Sequence, residues 1–214
     1  MTAVSVPSGP RVQPIREIAV QVARQRDMSV VVSNASWELY EELDELLEAA
    51  EPRPRLAFCN SELEIMAPPS FDHENPKTSL GNLIVSYALE SEIDLDAAGS
   101  TTQKLPKLSG KEPDESYFVN REGADGEYPD LVLEVKVTSG GIDKLEFWHP
   151  YKIPEVWILE EGKLRLFQFH TEKYLEIEES VLIPGIPIRD LEELLQVSPT
   201  TKAVREFRKR LRER

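Results

Sequence analysis

Two carboxylates and a lysine, residue types that can take part in catalysis, interrupt an apolar run near the middle of the chain. The stretch YPDLVLEVKV, residues 128–137, has the composition of a buried β-strand but carries Asp130, Glu134 and Lys136. Because side chains alternate along a strand, Glu134 and Lys136 point the same way, with Cβ atoms about 6–7 Å apart. The opposite face is aliphatic, with Leu131, Leu133, Val135 and Val137.

Carboxylates beside a lysine are what metal-assisted hydrolysis of a phosphodiester requires. Mg²⁺ takes oxygen ligands and usually one or two protein carboxylates, and it polarises a phosphoryl oxygen and activates a water. A neighbouring lysine stabilises the extra negative charge of the transition state. The alternative is a solvent-facing strand with a surface ion pair of little energetic value. Glycine-containing loops on both sides of the strand favour a site.

The second carboxylate is expected on the preceding strand. Asp130 lies four residues from Glu134 along one strand, roughly 13 Å away, so both cannot bind one ion. Pro113-Asp114 begins the strand PDESYFV, and neighbouring strands lie only about 4.8 Å apart. An antiparallel register that brings Asp114 opposite Glu134 would let the two share a metal. Asp130 is expected to cap a turn or to bind a backbone amide where its strand begins.

The first half of the domain is predicted to form a helix, a β-hairpin and a second helix. Ser36 predicts the N-cap of the helix SWELYEELDELLEAAE. The runs RLAFC and ELEIM flank Asn60-Ser61 and predict a β-hairpin, with Glu64 on a solvated face beside Glu62. The prolines of APPSFDHENPK predict a loop, followed by a helix. That helix has an apolar stripe of Leu80, Leu83, Ile84, Tyr87 and Ala88.

The second half predicts strands and then helices. After Gly140-Gly141, IDKLEFWHPYKI predicts a short amphipathic helix. EVWILE and KLRLFQF predict a second hairpin across Glu161-Gly162, with EKYLEIE as an edge strand. RDLEELL and AVREFRKRLRER predict closing helices. The order of elements indicates a mixed α/β (α+β) fold with helices packed on a central mixed sheet.

Charge is distributed unevenly along this chain of 214 residues. The net charge is −14, but residues 200–214 contain seven Lys and Arg against two acids. We expect residues 1–30 to form an N-terminal extension without regular period, 31–199 the domain, and 200–214 a basic C-terminal helix. An acidic body is a poor electrostatic footprint for binding nucleic acid over a broad face. The basic helix could contact phosphates, but an exposed terminal helix is the favoured interpretation.

Composition also limits the compartment and the cysteine chemistry. Cys59 is the single cysteine and lies in an apolar run, so a core residue is expected rather than a nucleophile or a disulfide. No run reaches the ~20 apolar residues of a membrane span. The first ten residues lack a basic segment followed by an apolar one. A cytoplasmic protein without membrane partners is therefore expected.

The order of these motifs resembles a bacterial family of restriction-endonuclease domains in the PD-(D/E)xK, restriction endonuclease-like nuclease superfamily. The resemblance covers roughly residues 37–197 and rests on Pro113-Asp114 followed by Glu134-Val135-Lys136, and on four longer stretches. These stretches are LEIMAPPSFDHE, KEPDESYFV, YPDLVLEV with a following TS, and DKLEFWHPYKIPEVWIL. The resemblance implies a central mixed sheet flanked by helices and Mg²⁺-dependent cleavage of DNA, with Mn²⁺ as a substitute.

The resemblance also assigns roles to residues. It implies Asp114 and Glu134 as metal ligands. Relatives often carry the lysine on the next helix, where Lys144 stands, but this chain has Lys136 as well. Strand geometry favours Lys136, because it lies beside Glu134. His73-Glu74 also matches the family pattern, either as metal ligand or base or as a helix-capping pair in a loop.

Three functions remain open from the sequence. The first is a Mg²⁺-dependent DNA endonuclease that uses Asp114, Glu134 and Lys136. The second is a non-catalytic binding or assembly module that retains the nuclease fold, which the acidic composition favours. The third is a metal-dependent hydrolase of another phosphate ester. A homodimer is one expectation, since similar nucleases often pair to cut two strands.

Overall fold

The structure, a computed structural model, describes residues 12–25, 28–124, 126–136 and 143–214. The chain divides into two compact units. The first comprises Met1–Ser70, Thr102–Glu112 and Thr138–Tyr151, and the second Phe71–Thr101, Pro113–Val137 and Lys152–Arg214. The predicted strand residue Val137, the Gly140-Gly141 pair and the TS of the family pattern lie outside the described residues.

The described helices and strands alternate along the chain in a mixed order. They are α1 (Val12–Ala23), β1 (Ser29–Ser33), α2 (Trp37–Leu47), β2 (Arg55–Cys59), β3 (Glu62–Met66), α3 (Phe71–Glu90), β4 (Leu95–Ala97), β5 (Gln103–Leu105), β6 (Ser109–Lys111), β7 (Glu115–Val119), β8 (Leu131–Lys136), α4 (Lys144–Trp148), a 3₁₀ turn (His149–Tyr151), β9 (Glu155–Glu160), β10 (Lys163–His170), β11 (Lys173–Ile177), α5 (Ile188–Leu194) and α6 (Thr200–Arg212).

The first unit is built on an antiparallel sheet with the strand order β1-β3-β2-β6-β5. Helices α1 and α2 cover one face, where their apolar side chains form a core with Leu56, Phe58, Leu63 and Ile65 of the sheet. The Ser36 hydroxyl accepts a hydrogen bond from the Leu39 amide at 3.2 Å, so the predicted N-cap of α2 is confirmed.

The second unit contains the mixed sheet, with the strand order β11-β10-β9-β8-β7-β4. Strand β8 pairs antiparallel with β7 and parallel with β9. Helices α3, α5 and α6 pack their apolar residues on one face of this sheet, around the buried Leu133, Trp157 and Phe207. The predicted mixed α/β class is confirmed, but the strands are divided between two sheets instead of one.

Both predicted hairpins are confirmed. Cys59 pairs with Glu62 in the first, and Glu160 with Lys163 in the second. The turn residues Asn60-Ser61 and Glu161-Gly162 all have positive φ, between 51° and 76°. Two consecutive residues with positive φ form the turn whose twist matches that of paired strands.

Three predictions of local structure are wrong. Residues 12–23 form α1 rather than an irregular extension, because Ile15, Ala19 and Val22 line one helix face and are buried. Helix α3 begins at Phe71, within the predicted loop, and includes Pro76. Glu64 is only 4 % exposed instead of solvated, and its Oε2 has no hydrogen-bond partner among the described residues.

Cys59 is a core residue, as predicted. Its side chain is fully buried beside Ala57 and Phe147, and its thiol donates to the Glu146 carbonyl at 3.3 Å. Burial raises the pKa of the Cys59 thiol to about 11. The thiol is therefore protonated at neutral pH and is not a nucleophile. None of the described helices has both the length and the apolar character needed to cross a membrane.

Candidate active site

The register between β7 and β8 places the two predicted carboxylates opposite each other. Glu115 pairs with Leu133 and Tyr117 with Leu131, so continuing the register by one residue brings Asp114 opposite Glu134. The Val135 amide donates to Asp114 Oδ2 at 2.8 Å, which fixes Asp114 against β8. The predicted antiparallel pairing of these strands is confirmed.

The two carboxylates belong to the sheet face that does not enter the main core. Leu131, Leu133 and Val135 lie in the core of the second unit, so the alternate residues Glu134 and Lys136 point to the other face. Residues directly opposite in an antiparallel pair share a face, which gives Asp114 the same direction as Glu134. Asp114 is 4 % exposed and Glu134 1 % exposed. The site thus begins with two buried carboxylates, one on β8 and one immediately before β7.

His73 joins Asp114 from the first turn of α3. Its Nε2 lies 3.3 Å from Asp114 Oδ2, and its Nδ1 lies 3.6 Å from Glu74 Oε1. Glu74 Oε2 is 2.6 Å from Lys77 Nζ one helical turn on. The structure therefore brings His73 to the carboxylate pair, whereas Glu74 forms an ion pair within the helix. Lys77 was missed, although its spacing of three residues from Glu74 is a signal for such a pair.

Lys136 lies on the carboxylate face and pairs across to β9. Its Nζ is 2.7 Å from Glu160 Oε1, and the parallel register places these two residues side by side. The side chains are 33 % and 35 % exposed. Sequence reasoning missed Glu160, because the partner of Lys136 is known only once β8 and β9 are known to pair in parallel.

Lys144 is the first residue of α4, in the first unit. The preceding Asp143 caps the helix by accepting a hydrogen bond from the Leu145 amide at 2.9 Å. Asp114, Glu134, Lys136 and His73 all belong to the second unit. A catalytic part for Lys144 stays a prediction.

Asp130 has the structural position that the sequence predicts. Its Oδ2 accepts hydrogen bonds from the Val119 amide at 3.0 Å and from Arg121 Nε at 2.9 Å. Arg121 also contacts Glu127 and donates to the Tyr128 carbonyl. The second "PD" of the chain therefore anchors the connection between β7 and β8.

Two further acids near these strands differ in their surroundings. Glu115 is half-buried, and desolvation raises the pKa of its carboxyl group. Glu155 is 1 % exposed and accepts hydrogen bonds from Trp157 Nε1, the Ser180 hydroxyl and the amides of Val181 and Leu182, at 2.7–3.0 Å. These four hydrogen bonds hold the buried Glu155 carboxylate in place, so we assign it a structural role.

The described residues offer few arrangements of side chains that could bind a divalent metal ion. Within the described residues, no group of three or more His, Cys, Asp or Glu side chains is arranged to hold a metal ion. A site on Asp114 and Glu134 would supply two carboxylates and leave the remaining positions to water and substrate, the usual pattern for Mg²⁺.

The second unit combines helices packed on a mixed sheet with two acidic residues at the pairing of β7 and β8. The chain belongs to the Uma2 family, described as "Putative restriction endonuclease", whose model matches residues 37–204. This family is part of the restriction endonuclease-like superfamily. The predicted family is thereby confirmed.

One solved structure that is similar to the chain is a "putative nuclease belonging to DUF820" from Anabaena variabilis ATCC 29413. It is 16 % identical, with a TM-score of 0.46, and the match covers 77 % of this chain and 97 % of that one. No protein with a curated description matches the chain.

Proposed function

We propose that this protein is an endonuclease that hydrolyses DNA phosphodiester bonds with Mg²⁺, for which Mn²⁺ can substitute. The observation that carries the proposal is the β7–β8 register, which brings Asp114 opposite Glu134 on one sheet face. Membership of a nuclease family supports DNA as the substrate.

The carboxylate oxygens of Asp114 and Glu134 are the type of ligand that a hard divalent cation prefers. Two carboxylates side by side on adjacent strands repel each other, and a cation between them relieves that repulsion. Asp114 and Glu134 would hold the ion. When bound, the ion polarises the scissile phosphoryl group and lowers the pKa of a coordinated water.

The remaining residues position groups and balance charge. Asp114 keeps its orientation because the Val135 amide donates to Oδ2 and His73 contacts the same oxygen. Lys136 would donate to the phosphate, where its charge opposes the negative charge that develops in the transition state. Lys144 is the other candidate for that cation. His73 would orient Asp114 or accept a proton from the attacking water.

The test is cleavage of plasmid and linear DNA with Mg²⁺, Mn²⁺ or EDTA by wild type, Asp114→Asn and Glu134→Gln. Both substitutions keep the side-chain shape, and the carboxamide oxygen of Asp114→Asn can still accept from the Val135 amide, so the fold should survive. We expect metal-dependent cleavage that falls at least about 100-fold in either variant, the loss typical of removing a group that acts on the transition state.

Glu178→Gln is the matched control. Glu178 is an exposed acid of the same unit, so its substitution removes the same charge and should leave cleavage unchanged. Calorimetric titration with Mn²⁺ should show binding to wild type and to Glu178→Gln but not to Glu134→Gln. Cleavage that persists in both site variants would refute the assigned site.

The second candidate function is a non-catalytic binding or assembly module. The net charge of −14 favours it, because an acidic protein repels the DNA backbone. Absence of cleavage with either metal, together with absence of Mn²⁺ binding, would support this alternative.

A further inference from the structure

Basic side chains cover the outer face of α6. The helix buries Ala203 and Phe207 in the core of the second unit. At helical spacing, five of the residues on the opposite side are exposed and positive. They are Lys202, Arg205, Arg208, Lys209 and Arg212.

A shallow, open groove lies between the side chains of this face. A groove of about 380 Å³ is lined by Arg205, Arg208, Lys209, Arg212 and Glu213. Four of the five lining side chains are cations. The groove therefore gathers positive charge on a chain whose net charge is −14.

Internal acids neutralise only part of that charge. Arg208 and Arg212 share one carboxylate oxygen, Glu90 Oε1, at 2.7 and 3.4 Å. Lys209 lies 3.9 Å from Glu213. Among the described residues, Lys202 and Arg205 pair with no carboxylate. Five cations against these two acids leave three net positive charges.

The remaining basic residues, Arg210 in α6 and Arg214 just after it, form ion pairs within the second unit. Arg210 contacts Asp190, Glu193 and Glu206, and Arg214 also contacts Asp190. The pairs with Asp190 and Glu193 tie α6 and the residue pair after it to α5. The outer groove is thus the part of α6 that has cations in excess.

We propose that the α6 groove binds the phosphate backbone of duplex DNA as an accessory contact. Guanidinium groups match phosphate oxygens with paired hydrogen bonds. From Arg205 to Arg212 the helix rises about 10 Å, which matches about three base-pair steps measured along the duplex axis at ~3.4 Å each. An anionic membrane fits less well, because the apolar side of α6 is already buried in the core and cannot enter lipid.

The groove is remote from the carboxylate pair. Helix α3 carries His73 near its start and Glu90 at its end, and those 17 residues span about 26 Å, or roughly eight base pairs of duplex. Changes in the groove therefore leave Asp114 and Glu134 untouched. The inference rests on the proposed function only in naming DNA as the ligand.

The test is fluorescence anisotropy with a labelled 20-base-pair duplex in EDTA, where binding is measured without cleavage. We expect Arg205→Glu/Lys209→Glu to raise the Kd at least about 10-fold at 50 mM NaCl. The slope of log K against log salt should fall by about 2, since each lost phosphate contact contributes about 0.9. Arg205→Gln/Lys209→Gln is the milder variant and should show the same direction if charge reversal impairs folding.

The matched control is Lys173→Glu/Arg189→Glu. Both residues are exposed, belong to the same unit and give the same change in net charge. The control should change the Kd less than about 3-fold. Equal weakening by control and groove variants would overturn the proposal, because the effect would then follow net charge alone. Wild-type binding to phosphatidylserine vesicles without binding to DNA would also overturn it.

Cleavage by the same proteins separates this inference from the proposed function. Groove variants that bind DNA like wild type, while Asp114→Asn abolishes cleavage, would remove the inference and leave the nuclease proposal standing. Groove variants that bind weakly, in a protein that cleaves nothing, would support DNA binding and remove the hydrolytic proposal.

Discussion

At the scale of single residues, the contacts of Lys136 decide what a substitution there can show. Its ion pair with Glu160 is about one third exposed, so it contributes at most about 1 kcal/mol to stability. A large loss of activity on replacing Lys136 would therefore not come from unfolding. Replacing Glu160 breaks the same ion pair as replacing Lys136, so a Glu160 variant serves as the matched control for a Lys136 variant.

We predict that replacing Lys136 and replacing Glu160 have different effects on kcat/KM. Lys136→Met should lower kcat/KM roughly 100-fold or more, because it removes the cation that would face the phosphate. Glu160→Gln should leave kcat/KM unchanged or raise it, because it releases that cation. Steady-state cleavage assays on both variants provide the measurement. Similar losses in both would assign Lys136 a structural part, and a loss confined to Lys144→Met would transfer the catalytic part to Lys144.

Residue types and parity predicted how several side chains of the candidate site are arranged. The alternation in YPDLVLEVKV indicated that Glu134 and Lys136 share a face, and the PD of the preceding strand indicated Asp114. Asp130 was set aside on distance alone, and the structure gives it the backbone contact expected of it. Glu160 and the saturated Glu155 could not be predicted, because their partners come from strand pairings and loops distant in sequence.

At the scale of elements, local signals were reliable where a turn or cap has specific chemistry. The two hairpins and the Ser36 cap follow from residues adjacent in sequence. Helix α1 was missed, although Ile15, Ala19 and Val22 have helical spacing, because proline and arginine obscure the stripe. The start of α3 was missed because Pro76 was taken as a boundary, whereas the helix continues through it.

Strand β9 anchors the segment that follows β11 through one side chain. Glu155 accepts four hydrogen bonds, three of them from Ser180, Val181 and Leu182. The Ser180 hydroxyl in turn accepts from the Ile183 amide at 2.9 Å. Because Glu155 is buried, water cannot replace it as an acceptor.

Removing this acceptor should destabilise the protein strongly. We expect Glu155→Ala to lower the free energy of unfolding by at least about 3 kcal/mol, since each buried donor left unsatisfied costs about 1–3 kcal/mol. Glu155→Gln keeps one acceptor oxygen and should cost less. Urea denaturation gives the values, with Glu178→Gln as a nearby exposed control that should stay within about 0.5 kcal/mol. A Glu155→Ala value inside that control range would contradict the anchoring role.

At the scale of the whole molecule, two electrostatic effects oppose each other. A net charge of −14 destabilises the compact state through long-range repulsion. Surface ion pairs such as Arg165–Glu176 and Arg208–Glu90 stabilise it, and both lower the pKa of their glutamate through hydrogen bonds from the arginine. Those pairs are short-range and largely exposed, so each is worth little.

The balance predicts a protein that salt stabilises. Raising NaCl from 20 to 300 mM shortens the screening length from about 20 Å to about 6 Å, which removes repulsion between distant charges first. We therefore expect Tm to rise by a few degrees, corresponding to roughly 1 kcal/mol at this size. Differential scanning calorimetry at pH 7.5 gives the measurement, and KCl should reproduce it because the effect depends on ionic strength. A Tm that falls with either salt would mean that the surface ion pairs outweigh the repulsion of the acidic chain.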